Sequence, residues 1–380
     1  MAVYEHSYCS REDAQNSIDF ADGITTTVQA KTDRAITDAT RKIEGQLHRI
    51  FVPWDGTKWW DYPNYQYAYP WRLWLDRSDL LCITSFSSGG VSIALNQCFL
   101  RPANRLPGFP FTSIELDRST NAFFGQNAAT PQNAIEVIGT WGFTGEADPA
   151  GDLAAAVTST SQATITVTDA SQMGVGDLLI IGYARGTAPF PDDTLGHAGL
   201  IQPYLGERVL VSDRSAITTG LTQSGGGCST ASGSDNLLAT TGSGTLNQGE
   251  VLLLDSEQML VLSVVSGVAT VQRAWNGTVL ATHSAATVYA YRLLSVQRGF
   301  LGTTAATWTN GTAVYKHRVP AIVRDLAIAE AANQILQETS GYARIVGAAD
   351  AAMPASGAAL ADLWDEARTT YGRKGRSRVI

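Results

Sequence analysis

Two eight-residue phrases, VQRAWNGT at 271–278 and VQRGFLGT at 296–303, stand 25 residues apart in this chain. They belong to a longer repeat. DASQMGVGDLLIIG (169–182) aligns with GSGTLNQGEVLLLD (242–255), placing Met173 on Leu246, Gly176 on Gly249 and Asp177 on Glu250. ERVLV (207–211) then matches EQMLV (257–261), and the second copy runs through a Ser-Gly turn into ATVQRAWNGTVLATHSAATVYAY. The first copy breaks off near 215, and its missing half appears only at LLSVQRGFLGTTAATWTNGTAVYKH (293–317). The economical reading is nesting: an outer β unit over 163–213 plus 293–318, with an inner copy over 237–292 inserted into it. Units this small pack together as small barrels or sandwiches. The segments 145–162 and 214–236, rich in Gly, Ser, Ala and Asp, read as linkers.

The flanks have another character. SREDAQ carries a Ser cap with Asp13 three residues on, and the following segment places Ile36, Ile43, Leu47 and Ile50 on one helical stripe ahead of a stop at Pro53. VPAIVRDLAIAEAANQILQET (319–339) and ALADLWDEARTTYGRK (359–374) supply two more amphipathic helices. Short strands are expected at 80–86, 91–100, 111–117 and 134–143, the first pair joined by Gly89-Gly90. The fold class is therefore α+β. A helical core from both chain ends and a small β region (1–144 with 319–380) carries a large all-β insertion.

Between Phe51 and Trp74 stand ten aromatics in 24 residues, against 9% aromatic for the whole chain. Two readings stay open: a twisted hairpin whose rings pack on the helices, or a docking surface built on Trp54, Trp59, Trp60, Trp71 and Trp74.

No phosphate loop, dinucleotide fingerprint, nucleophile elbow or zinc-protease motif is present. A copied catalytic or metal site should keep its ligand in both copies, yet Trp308 stands opposite His283. That assigns His283 and His317 structural roles, and no enzyme activity or cofactor is expected. FPDDTLGH groups Asp192, Asp193 and His197, which reads either as a cation site or as a solvated loop. The loop is preferred, because six oxygen ligands are not evident. The repeated Arg273 and Arg298 read as braces that hold a turn through backbone carbonyls, and the NGT triplets at 276–278 and 310–312 as Asn-Gly hairpin turns. Cys9, Cys82, Cys98 and Cys228 lack metal or disulfide spacing and are expected as reduced thiols. With no apolar signal core and no run of membrane-spanning length, a non-secreted chain without a membrane span is expected. The net charge of −8 disfavours a nucleic-acid grip by the body. The tail holds Arg373, Lys374, Arg376 and Arg378. It reads as a peptide that docks on a partner, as a solvated end, or, least, as a phosphate contact.

In the order of its pieces the chain resembles the head-to-tail connector (adaptor, or head-completion) proteins of long-tailed bacteriophages. Four stretches carry the resemblance: the helical pair ending QLHRIFVP; LLCITSF through FTSIELD to AIEVIGTWGF; the repeat ending VQRGFLGT and VYKHRVP; and the closing VPAIVRDLAIAEAANQI with LADLWDEARTTYGRK. The resemblance implies a homo-oligomeric ring, usually a dodecamer, in the virion neck. It would be assembled in the host cytoplasm, attached to the portal protein and joined to a tail or stopper protein. DNA would pass non-specifically through its channel, the capsid is a further candidate neighbour, and no membrane is involved. It also implies that the C-terminal segment, here 373–380, engages the portal. The large β insertion departs from the compact helical adaptors. The competing expectation is a host-surface glycan-binding module in which the β units bind and the aromatic rings stack on sugar.

Overall fold

The computed structural model describes residues 5–18, 25–62, 70–104, 109–125, 130–183, 206–225, 227–339, 345–346, 353–354 and 358–373. Among them are four α-helices and a mostly β body.

Helix α1 (Arg11–Asn16) opens on the expected capping box: Ser10 Oγ accepts the Asp13 N–H at 3.1 Å and the Asp13 carboxylate accepts the Ser10 N–H at 3.3 Å. Thr25 caps α2 (Thr26–Leu47), which buries Ala35, Ile36, Ala39, Ile43 and Leu47 along one face. The stop falls at His48, not at Pro53: His48 turns left-handed at φ 52°, which ends the hydrogen-bond ladder before the proline is reached. Against α2 pack α3 (Ala321–Thr339), through Val323, Leu326, Ala327 and Ala331, and α4 (Ala358–Tyr371), through Trp364 and Ala367. The alanines let the helix axes approach closely. Lys42 on α2 pairs with Glu330 on α3 at 2.8 Å, and the Trp364 indole N–H also donates to Glu330, so one carboxylate ties three helices. Each large aliphatic side chain buried here contributes roughly 1.5–3 kcal/mol.

Strands β1 (Trp54–Trp60), β3 (Leu80–Ser88), β4 (Val91–Ser92) and β7 (Ile135–Trp141) form an antiparallel sheet ordered β1-β7-β3-β4. A second sheet, ordered β2-β6-β5, joins β2 (Arg72–Trp74), β5 (Cys98–Arg101) and β6 (Ser113–Leu116). Gly89 and Gly90 make the β3–β4 turn at φ 62° and 81°, the positive pair a two-residue hairpin needs. Trp54, Trp60 and Trp71 pack on the core between these sheets, not on the helices, because β1 pairs with β7 and faces Trp141.

The remaining strands are β8 (Ala147–Asp152), β9 (Thr164–Thr166), β10 (Leu178–Ile181), β11 (Glu207–Gln223), β12 (Leu237–Gly242), β13 (Val251–Leu254), β14 (Glu257–Val265), β15 (Val268–Gln272), β16 (Thr287–Gln297) and β17 (Ala313–His317). Two of them, β11 and β16, are long and pair antiparallel from Leu210↔Gln297 to Thr222↔Thr287. At one end of this ribbon β11-β12-β15-β14-β13-β16 close a six-stranded barrel around Leu238, Leu252, Leu254, Met259, Val261 and Val288. At the other end β8-β17-β10-β11-β16-β9 wrap a second core around Leu153, Val167, Met173, Leu179, Val209 and Val296, and the Leu153↔Val167 bridge joins β8 to β9.

The pairings at the two ends correspond. Leu178↔Leu210 matches Val251↔Leu260, Leu210↔Gln297 matches Leu260↔Gln272, and Ser215↔Leu293 matches Val265↔Val268. Gly176 donates to Val211 O at 2.8 Å and Gly249 to Val261 O at 2.8 Å.

Two expected linkers are structured. Strand β8 lies inside 145–162 and β11 runs unbroken through 214–223. ADPAGD lacks apolar alternation, yet its ladder partner β17 holds it as a strand, with Pro149 opposite Tyr315. Asn276 and Gly277, at φ 55° and 74°, lie in a 3-10 turn after β15 and do not form a tight hairpin. Two-residue strands β18 (Ile345–Val346) and β19 (Met353–Pro354) pair with each other. No described helix is long and apolar enough to cross a membrane.

Each of the two β cores rests on what precedes it through the same turn. In the outer one Ser7 Oγ donates to Gly176 O at 2.7 Å and the Val175 N–H to Glu12 at 2.8 Å. In the inner one Glu250 accepts the Ala170 N–H at 3.1 Å and the Asn247 side-chain amide donates to Thr168 O at 3.2 Å.

Candidate functional site

The repeated phrases build two matching sockets. Arg298 forks onto Glu207 with both bonds at 2.6 Å, and Arg273 forks onto Glu257 with both at 2.8 Å. The guanidinium of Arg298 also donates to the carbonyls of Gln162 and Ala306, and that of Arg273 to those of Thr230, Asp235 and Ala281. Backbone N–H groups complete each carboxylate: Gly299 and Ala306 for Glu207, Ala274 and Ala281 for Glu257. The last donor differs. Trp308 Nε1 reaches Glu207 at 2.9 Å, and His283 Nε2 reaches Glu257 at 2.9 Å while its Nδ1 faces Asp255 at 2.8 Å.

Burial pushes the Glu257 carboxyl up, but hydrogen bonds from Arg273, the Ala281 N–H and His283 outweigh it and hold the group down to about 2. Glu207 is lowered by the same opposition of burial with Arg298, Trp308 and backbone donors. A carboxylate so fully donated to has no lone pair left to act as a base. These sockets clamp strand to turn.

The other candidate residues fall in separate places. Asp192, Asp193 and His197 lie outside the described residues, and among the described residues no group of three His, Cys, Asp or Glu side chains could hold a metal ion. Lys374, Arg376 and Arg378 also lie outside. Arg373 is held within the chain: Nε donates to His48 O at 2.7 Å and Nη2 to Asp79 at 2.7 Å. Of the five tryptophans, Trp59 is 54% exposed, whereas Trp54, Trp60, Trp71 and Trp74 are half-buried. Arg118 stacks over Trp71 and Arg72 over Trp74. The four cysteines are buried and form no disulfide, and burial pushes the Cys98 thiol up to about 12 and Cys228 to about 11, so neither of these two is a ready nucleophile.

Compared with known protein families, curated proteins and solved structures, the chain matches none. Function must be argued from its own residues.

Two hollows remain. The larger, about 380 Å³, lies between the N-terminal segment and both β cores, and two ion pairs cross it: Lys316 with Asp177 at 2.7 Å and Arg214 with Glu12 at 3.3 Å. The smaller, about 170 Å³, is walled by Trp54 and Trp141 and centred on the buried Asp79, which Arg49 and Arg373 both reach. Sequence reasoning found Arg273 and Arg298 through their repetition but missed Glu207 and Glu257, although the aligned ERVLV and EQMLV already placed one glutamate in both copies. The Asp79 pocket left no local signal, since its members come from distant parts of the chain.

Proposed function

We propose that the protein is a structural subunit of a phage neck, assembling as a ring that joins the portal to the tail and surrounds the path of DNA. The observation that carries this reading is that both chain ends converge on one helical core, α2 with α3 and α4, while the whole segment from β8 to β17 is an insertion between them. That arrangement is what a connector core with an added β arm requires. The saturated sockets support it, because the site-like carboxylates of the β arm are spent on holding strands rather than on reaction.

Within this reading the β arm is two nested copies of one barrel, the inner inserted at the hairpin tip of the outer, where Ser215↔Leu293 stands in place of Val265↔Val268. Arg373 anchors the base of the tail on the subunit's own body, and the residues after it, with Lys374, Arg376 and Arg378, engage the portal. The net charge of −8 suits a conduit that must not grip a polyanion.

The glycan-binding reading draws less support, because Trp54, Trp60 and Trp71 are committed to a core. Electron microscopy of the purified protein mixed with portal tests the proposal. A ring seated on the portal is the expected result; a monomer that ignores portal, or a protein located only in tail fibres, overturns it.

A further inference from the structure

The small pocket has an unbalanced charge. Asp79 is 5% exposed and takes Arg49 Nη1 at 3.1 and 3.2 Å together with Arg373 Nη2 at 2.7 Å. Lys58 also enters. Its Nζ donates to Ser78 Oγ at 2.8 Å and lies 4.6 Å from the Trp141 ring centre and 5.1 Å from that of Trp54. Arg77 lines the same space and makes no ion pair among the described residues. Among the described residues that line the pocket, these four cations face two carboxylates, Asp79 and Glu44, and Glu44 is already engaged by His6 and the Tyr8 hydroxyl at 2.6 Å each.

One donor is left over. Arg49 Nε is buried without a hydrogen-bond partner among the described residues, while the guanidinium stacks 4.8 Å over Phe143. Burial and the neighbouring Arg373 together push the Lys58 ammonium below its usual range. Buried charge is normally balanced by a partner, and an unmet buried N–H is costly. A hollow of about 170 Å³ has room for a tetrahedral anion together with water.

We propose that this pocket binds a phosphate group, received by Arg49 Nε, Lys58 Nζ and Arg77 between the Trp54 and Trp141 rings. The shared chemistry is an oxyanion with several acceptor oxygens, whether free phosphate or the phosphodiester of a nucleic-acid backbone. The site shares Arg373 with the tail anchor described above, but does not rest on the neck role.

Because two indoles wall the pocket, tryptophan fluorescence reports occupancy. The full chain is titrated at constant ionic strength, with sodium chloride replaced by inorganic phosphate in one arm and by dimethyl phosphate in the other. A saturable change in either arm is expected, and which arm saturates identifies free phosphate or diester as the ligand. Lys58→Met keeps both arginines on Asp79, so its fold is preserved; it and Arg49→Gln should each weaken binding about tenfold or more. No saturable change of the wild-type protein through the millimolar range, or saturation unaltered in Lys58→Met, overturns the proposal.

Discussion

Arg298 and Glu207 show what a repeated residue means. Removing either leaves the other charged and buried, so Glu207→Gln or Arg298→Met should each cost about 3–5 kcal/mol, measured by urea denaturation. Replacing both with apolar residues should recover much of that loss. His317 offers a second test. It is 4% exposed and donates from Nε2 to Phe51 O at 2.9 Å, fastening β17 to the helical core. Burial drives its imidazole down from 6.5 to about 4, against the Phe51 bond. The folded state therefore binds fewer protons than the unfolded one, and stability present above pH 6.5 is lost as pH falls through 4. The shift corresponds to roughly 3 kcal/mol, and His317→Gln should flatten stability across that window in thermal melts at stepped pH. Glu257 adds a lower window, below the usual 4.5 and down to about 2. The structural role of His317 was legible from its mismatch between copies. Its partner, a carbonyl 266 residues away in sequence, was not.

Among elements, the turn after each repeated Arg carries the strain. Gly302 sits at φ 85°, and a Cβ there would run into Asp55 O; Gly267, at φ 79° in the β14–β15 turn, has nothing within 4 Å. Both substitutions to alanine incur the left-handed cost of about 1–2 kcal/mol. Gly302→Ala should cost more, since the outer barrel must also retreat from β1, where Arg208 pairs with Asp55 at 3.0 Å. Comparing the two melting temperatures separates conformation from contact. Helices were easy to read here because capping residues and a 3.6-residue stripe are local signals. Strand β8 was not: only Ala150 of its six residues is buried, and what makes it a strand is β17, far along the chain.

At the scale of the molecule, the register pairs Ser215 with Leu293 as Val265 pairs with Val268. Replacing residues 216–292 with Ser-Gly should therefore yield a closed outer barrel on an intact helical core. Circular dichroism and a cooperative melt would show this, and a molten product would refute the equivalence. The correspondence of register was legible in the sequence because both copies kept their glycine, acidic and arginine positions. The extents of the units were not, because β11 and β16 each serve two cores, and a strand shared between cores has no boundary in composition.

Those shared strands also set an order of events during folding. The outer barrel is severed in sequence, and joining its halves through a flexible segment of this length would cost about 4 kcal/mol in chain entropy. Once the inner barrel has closed, its ends leave side by side on β11 and β16, already hydrogen-bonded. The insert thus acts as a template for its host. A mutation that slows closure of the inner barrel should delay the outer one, and pulse-labelled hydrogen exchange should find amides of β13 and β14 protected before those of β10 and β17.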